Sequence, residues 1–232
     1  MIISINQPAY LPWLGYFERI YNSDIHIVLD HVQFEKNSMI NRNKIKTAQG
    51  WCWLTIPLNT SKKFGNLALN QITVNNTEKW QKKHWNSIFF NYKKTPYFYN
   101  YSDQLEVFYN TKWEKLEDIL RWQLNFFLSA LSLKTKIVYS SEQAYQSKKS
   151  NLVLDICLKN QATCYLSGPF GKNYLNEEDF INAGISLKYQ QYEHPQYKQL
   201  TGTFQSHLST LDLLCNHGSK SIKILTHNTD NK

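Results

Sequence analysis

A chain of 232 residues, 42% hydrophobic and 15% aromatic, carries enough apolar material for a sizeable core, which excludes a disordered segment. Its net charge of +8 comes from 26 basic residues, of which only Arg19, Arg42 and Arg121 are arginine. Base readout and bidentate phosphate contacts favour arginine, and no arginine-rich tract, zinc knuckle or helix-turn-helix pattern accompanies the lysines, so nucleic acid is set aside as a partner.

No apolar run reaches the roughly 20 residues that span a bilayer. The opening Met1-Ile2-Ile3-Ser4-Ile5-Asn6 has no basic region or cleavage site, so a soluble cytoplasmic protein is expected. Cys52, Cys157, Cys164 and Cys215 are scattered without ligand spacing; free thiols are predicted, with no disulfide and no metal.

In chain order, residues 2–5 form a β-branched run that reads as a buried first strand, and 13–21 carry Leu14, Phe17 and Tyr21 at helical spacing. Residues 25–29 are a second strand, ending at Asp30. The β–loop–α–β opening predicts a ligand site beyond the carboxyl ends of these strands. Residues 44–47 and 51–57 read as a hairpin turning at Gln49-Gly50, and 72–74 as a short strand.

A helical middle follows: 78–92 behind a Thr77 cap, 97–109 and 115–131. Strands at 136–139, 163–166 and 187–192 alternate with helices at 151–159, capped by Ser150, and from Asn176, whose next three residues are acidic. Residues 210–216 sit behind Ser209, with Asp212 at capping-box spacing and Gly218 as the stop. The pattern predicts a single α/β domain over 1–225, its mixed or mostly parallel sheet flanked by helices, and a frayed tail over 226–232.

Five constellations can carry chemistry. The loop Gln7-Pro8-Ala9-Tyr10-Leu11-Pro12-Trp13 with Tyr16 offers amide, hydroxyl and flat apolar groups for a base or sugar, or packing alone. Alternation over 30–34 puts Asp30, Val32 and Phe34 on one face and His31 and Gln33 on the other, and Arg42 with Asn41 is either a fork for phosphate or carboxylate or a solvated turn. His84 shares a helix stripe with Trp80 and Ile88, as a core histidine or a general base. Ser167-Gly168-Pro169-Phe170-Gly171-Lys172 follows a strand and reads as an anion cradle or a tight turn; its spacing matches no Walker or Rossmann fingerprint. His194-Pro195 leaves a strand as an exposed loop.

These segments in this order resemble the WbqC-like family of bacterial proteins. The resemblance rests on Gln7 through Phe17, Asp30 through Phe34, Asn41-Arg42, His84, Tyr165 through Leu175, His194-Pro195 and the helix before Gly218. It implies a role in surface polysaccharide such as O-antigen, and a transferase that acylates or aminoacylates a nucleotide-linked amino sugar. No tightly bound cofactor is expected; the co-substrate would be an acyl-CoA or a thioester on an acidic acyl carrier protein, drawn by the positive field.

On that reading His84 or His194 is the base, with Asp30 as a third catalytic candidate. Ser167 and the Gly168 amide stabilise the oxyanion, and Arg42 holds the pyrophosphate; Gln7, Tyr10, Trp13, Tyr16, Gln33, Asn41 and Lys172 complete the substrate contacts. Two alternatives stand beside it: a nucleotidyltransferase-like enzyme, against which Trp13 and Tyr16 replace the histidines of that chemistry, and a non-catalytic nucleotide-sugar-binding protein.

Overall fold

The computed structural model describes residues 1–60 and 67–227. In chain order the elements are β1 (Ile2–Asn6), α1 (Leu14–Tyr21), β2 (Ile25–Val28), β3 (Arg42–Thr47), β4 (Gly50–Thr55), α2 (Trp80–Tyr92), α3 (Ser102–Asn110), α4 (Leu116–Ala130), β5 (Lys136–Tyr139), α5 (Lys149–Lys159), β6 (Cys164–Ser167), α6 (Glu177–Asn182), β7 (Ser186–Tyr189), α7 (Thr210–His217) and α8 (Ser221–Leu225).

The chain divides into two compact units, each assembled from separated segments. Unit 1 comprises Met1–Pro8, Gly15–His31 and Lys134–Glu193; unit 2 comprises Ala9–Leu14, Val32–Leu133 and His194–Lys232. The crossing points have no Gly/Ser-rich or charged signature, so the division leaves no linker in the sequence.

Unit 1 is an α/β layer built on a five-stranded sheet in the order β5-β2-β1-β6-β7. Every pairing is parallel. Short Ile- and Val-rich runs suit such a sheet, because its central strands are buried on both faces. Ile3, Ile27 and Val28 are fully buried. The chain winds from β1 outward through β2 to β5, then returns to the other side of β1 with β6 and β7. The order therefore reverses between β1 and β6, the position at which sheets of this kind bind ligands.

Unit 2 holds the antiparallel hairpin β3–β4, with Arg42 opposite Thr55 and Lys44 opposite Trp53, and the helices of the middle segment. Along α2 the buried residues are Trp80, His84, Ile88 and Tyr92, the stripe that helical spacing predicts. Aromatic rings fill this core: Phe108 stacks on Trp122 at 4.5 Å, and Trp122 on Phe126 at 5.5 Å. Gly218 ends α7 at φ 56°, and a side chain there would strike the Tyr97 ring.

Some local expectations are corrected. The run at 72–74 makes only isolated bridges, Val74 to Leu58 and Thr73 to Lys115, because no neighbouring strand offers it a ladder. Thr77 caps nothing; its hydroxyl turns to Asn75 Oδ1 at 2.7 Å. Ser150 Oγ accepts from the Asn176 amide at 2.9 Å, while α5 starts a residue earlier behind Lys148. Ser209 does cap α7, accepting from the Leu211 amide at 3.2 Å. Asp212 leaves the capping box to accept from Tyr197 and Gln199, both at 2.9 Å. The frayed tail falls mainly on 228–232, outside the described residues.

Candidate functional site

The parallel pairing of β1 with β2 brings the residues after both strands to one edge of unit 1. Asn6 pairs with Val28, and the Leu29 amide donates to Asn6 O at 2.7 Å, so Gln7 and Asp30 leave the sheet at the same end. Asp30 is 1% exposed. Its Oδ1 accepts from Ser140 Oγ at 3.0 Å and from the Ser141 amide at 2.8 Å; its Oδ2 accepts from Ser141 Oγ at 2.7 Å. Those serines follow β5, so the carboxylate ties the ends of two adjacent strands together.

The same Ser140 hydroxyl lies 2.6 Å from His31 Nδ1. His31 stacks on Tyr145 with ring centroids 5.8 Å apart, and burial lowers its pKa against a raising contribution from Asp30. An imidazole so held is neutral at pH 7 and can accept a proton. Nothing in the sequence around Ser140 marks it; only the β2–β5 pairing brings it to His31.

Beyond β6, the expected anion cradle takes a different form. Ser167 is fully buried, and its hydroxyl bonds to the Gly168 carbonyl at 3.1 Å, so it cannot serve as an oxyanion donor aimed outward. Lys172 is exposed, its ammonium 5.1 Å from the Tyr189 ring. Gly168 has an ordinary φ, yet a Cβ there would collide with Arg19 Nη1.

Arg19, on α1, is 5% exposed. Its Nε has no hydrogen-bond partner, and no carboxylate among the described residues forms an ion pair with its guanidinium. The neighbouring Glu18 carboxylate is taken by Asn22 and Gln190, and Gln190 also donates to Gly15 O at 2.7 Å. Tyr16 is buried, its ring edge-on to His26 at 5.5 Å.

In unit 2, Tyr10 and His84 do meet. The Tyr10 hydroxyl lies 2.8 Å from His84 Nδ1 and 2.7 Å from the Tyr109 hydroxyl. His84 is 5% exposed, packs edge-on to Trp80 at 5.3 Å, and has its pKa lowered to about 4 by burial. This is the environment of a satisfied interior histidine. A groove of about 460 Å³ in this unit is lined by Lys79, Lys82, Trp85, Asn86 and Tyr109 among others, and not by His84.

The proline-bounded loop enters unit 2 with Leu11 at φ 46°, a conformation costly for a side chain with a Cβ. Two side chains fix it: the Leu11 amide donates to Gln123 Oε1 at 2.8 Å, and Asn43 Nδ2 donates to Leu11 O at 2.6 Å. Trp13 forms an isolated bridge with Ser209, and Gln33 with Ala68. Asn41 donates to the Ile56 carbonyl at 2.8 Å. Arg42 donates to the Asn37 carbonyl at 2.6 Å and lies 4.6 Å above Trp53, so the arginine that stood out in sequence is already engaged. His194 bonds to the Pro195 carbonyl at 2.9 Å, 5.0 Å from the His207 ring, and its pKa is lowered mainly by burial.

Cys52, Cys157, Cys164 and Cys215 are free. Among the described residues no group of three or more His, Cys, Asp or Glu is placed to hold a metal ion, and no helix is long and apolar enough to cross a membrane.

Comparison with known proteins adds a lineage. The uncharacterized protein Rv1507c of Mycobacterium tuberculosis is 33% identical over 221 residues, covering 94% of this chain and 95% of that protein. No solved structure matches. The WbqC-like protein family matches residues 7–224, a span that takes in the proline-bounded loop, Asp30 and its serines, and the β6 turn. The chain belongs to the WbqC-like family.

Proposed function

We propose that this protein is a transferase that acylates or aminoacylates the amino group of a nucleotide-linked amino sugar, in the making of surface polysaccharide, with the carboxyl edge of the unit 1 sheet as its site. The observation that carries the reading is the Asp30–Ser140–His31 cluster at that edge, beyond the carboxyl ends of β2 and β5. The sugar amine attacks the carbonyl carbon of a thioester held on coenzyme A or an acyl carrier protein. A C–N bond forms, the C–S bond breaks, and the thiolate leaves. His31 takes the amine proton, its neutral form favoured by partial desolvation. Asp30 acts through Ser140, which orients the imidazole; it is a positioning residue.

This assignment moves the base from His84 and His194 to His31. His84 lies in a closed aromatic shell, and His194 belongs to unit 2 and not to the segments of the unit 1 sheet.

The test is an assay of dTDP- and GDP-linked amino sugars with acyl-CoA and acyl-carrier donors, following free thiol and amide product. His31→Gln should lower kcat about 100-fold or more with little change in KM for the sugar. Sugar binding without thiol release from any donor would instead support a non-catalytic nucleotide-sugar-binding protein.

A further inference from the structure

The α1 face of the unit 1 sheet holds three buried nitrogens without partners: Asn6 Nδ2, Arg19 Nε and His26 Nε2. Strand alternation puts Ser4, Asn6 and His26 on this face. Ser4 Oγ bonds to His26 Nδ1 at 2.7 Å and to Ser23 Oγ at 2.7 Å, and Ser23 Oγ also reaches the carbonyl of Arg19, so α1 packs here. The parallel register Ile2–Cys164, Ile3–Tyr165, Ser4–Leu166, carried two residues further, sets Asn6 level with Gly168. Arg19 reaches the same point from α1, its Nη1 occupying the space that a Gly168 side chain would need.

Two independent arrangements, a strand register and a helix side chain, thus aim donors at one corner. A buried guanidinium with no carboxylate in ion-pair contact, and only the longer-range field of Glu18 to offset its charge, is costly for a fold to keep. Arginine holds its charge even where burial lowers its pKa, so it does not escape by neutralising. An anion supplied from outside removes the cost. The corner lies between β1 and β6, where the crevice of such a sheet opens.

We propose that Asn6, Arg19 and the Gly168 backbone form a binding site for a phosphoryl oxyanion, the pyrophosphate of the nucleotide carrier; the ligand's identity rests on the proposed function. Arg19 supplies the fork of charged donors and Asn6 an amide N–H. A side chain at Gly168 would push the end of the Arg19 side chain out of this position. Arg42 has no part in this site.

Calorimetry on the full chain at low salt, with inorganic pyrophosphate, dTDP, thymidine and succinate, tests the proposal. Pyrophosphate and dTDP should bind, with thymidine and succinate weaker by about tenfold or more. Arg19→Met, similar in volume and neutral, should lose about tenfold or more of the pyrophosphate affinity. It should also melt no lower than wild type without anion, because an unpaired buried charge has gone. If that variant does not fold, Gly168→Ala reports instead, and the added methyl group should weaken pyrophosphate to a similar extent. Wild-type protein that ignores millimolar pyrophosphate overturns the site, as does undiminished pyrophosphate binding in whichever variant folds. Intact pyrophosphate binding with no thiol release from any donor would sink the transferase reading alone.

Discussion

The carboxyl edge of unit 1 and the aromatic interior of unit 2 both bury polar groups, but they treat them differently. In unit 2, Tyr10, His84 and Tyr109 form a hydrogen-bonded chain, and Asp212 Oδ2 accepts from both Tyr197 and Gln199. Some atoms there also lack partners, including Trp80 Nε1, Gln123 Nε2, Asp212 Oδ1 and Arg42 Nε, but the Arg42 guanidinium donates through Nη2 to the Asn37 carbonyl. In unit 1 the unpartnered nitrogens share one sheet face, and one belongs to a full positive charge. Burial of a titratable group is therefore a poor marker of function by itself.

The comparison is sharpened most by pH, since each region holds a neutral buried histidine. Burial lowers His26 to about 3 and His84 to about 4, from 6.5 for an unconstrained imidazole. The unfolded chain binds more protons below pH 6.5, so stability present above that value is lost as pH falls, towards about 4 for His84 and about 3 for His26. Each should contribute a slope of about 1.4 kcal/mol per pH unit within its window. Denaturant titrations from pH 7 to 4 measure these contributions together with those of His31 and His194, whose pKa values burial also lowers, and His84→Asn should remove the His84 component. The same variant should cost stability while sparing turnover per folded molecule; a 100-fold fall in turnover would restore His84 as the base.

A smaller effect separates positioning from structure at the edge itself. Asp30→Ala leaves the Ser140 and Ser141 donors without an acceptor and should destabilise the protein by roughly 3 kcal/mol in urea titrations. A cost below about 1 kcal/mol would mean that the carboxylate is not holding β2 and β5 together. The smallest effect is expected in the unit 2 hairpin, where Arg42→Ala should cost only about 1 kcal/mol and leave pyrophosphate affinity unchanged.

Much of the fold was legible because short β-branched runs and helix stripes are local signals. β1, β2, β5 and β6, the β3–β4 hairpin and the α2 stripe follow from their own residues. Strand order does not, because the β1–β6 pairing joins segments about 160 residues apart. The site was legible only in part for the same reason. Asp30 and Gln7 could be placed at one edge from the β–α–β pattern and Gly168 in a glycine turn after a strand, whereas Ser140, and the place of Gly168 next to β1, come only through distant pairings. Arg19 sits among the aromatics of a short helix, in a context that a solvated arginine shares, and only its burial sets it apart. Asn6 was hidden by its neighbour Gln7, which looked the more polar end of the strand. The 72–74 run shows the opposite error: its composition favours a strand, but two isolated bridges to different segments do not make a ladder.

The interleaving of the units has a consequence for the order in which the ribosome delivers them. β1 precedes the other strands of its sheet and lies at its centre, between β2 and β6. The ammonium of Met1 donates to Thr163 Oγ1 at 2.6 Å, a contact 162 positions apart. Until β6 emerges, one edge of β1 offers its unpaired amides and its isoleucines to any passing strand. Unit 2 interrupts this wait with about a hundred residues, Val32–Leu133, rich in local helical contacts that form quickly. The slow, vulnerable step in making this protein is thus the closing of its first strand, and conditions that delay the second half of the chain should draw nascent copies into aggregates.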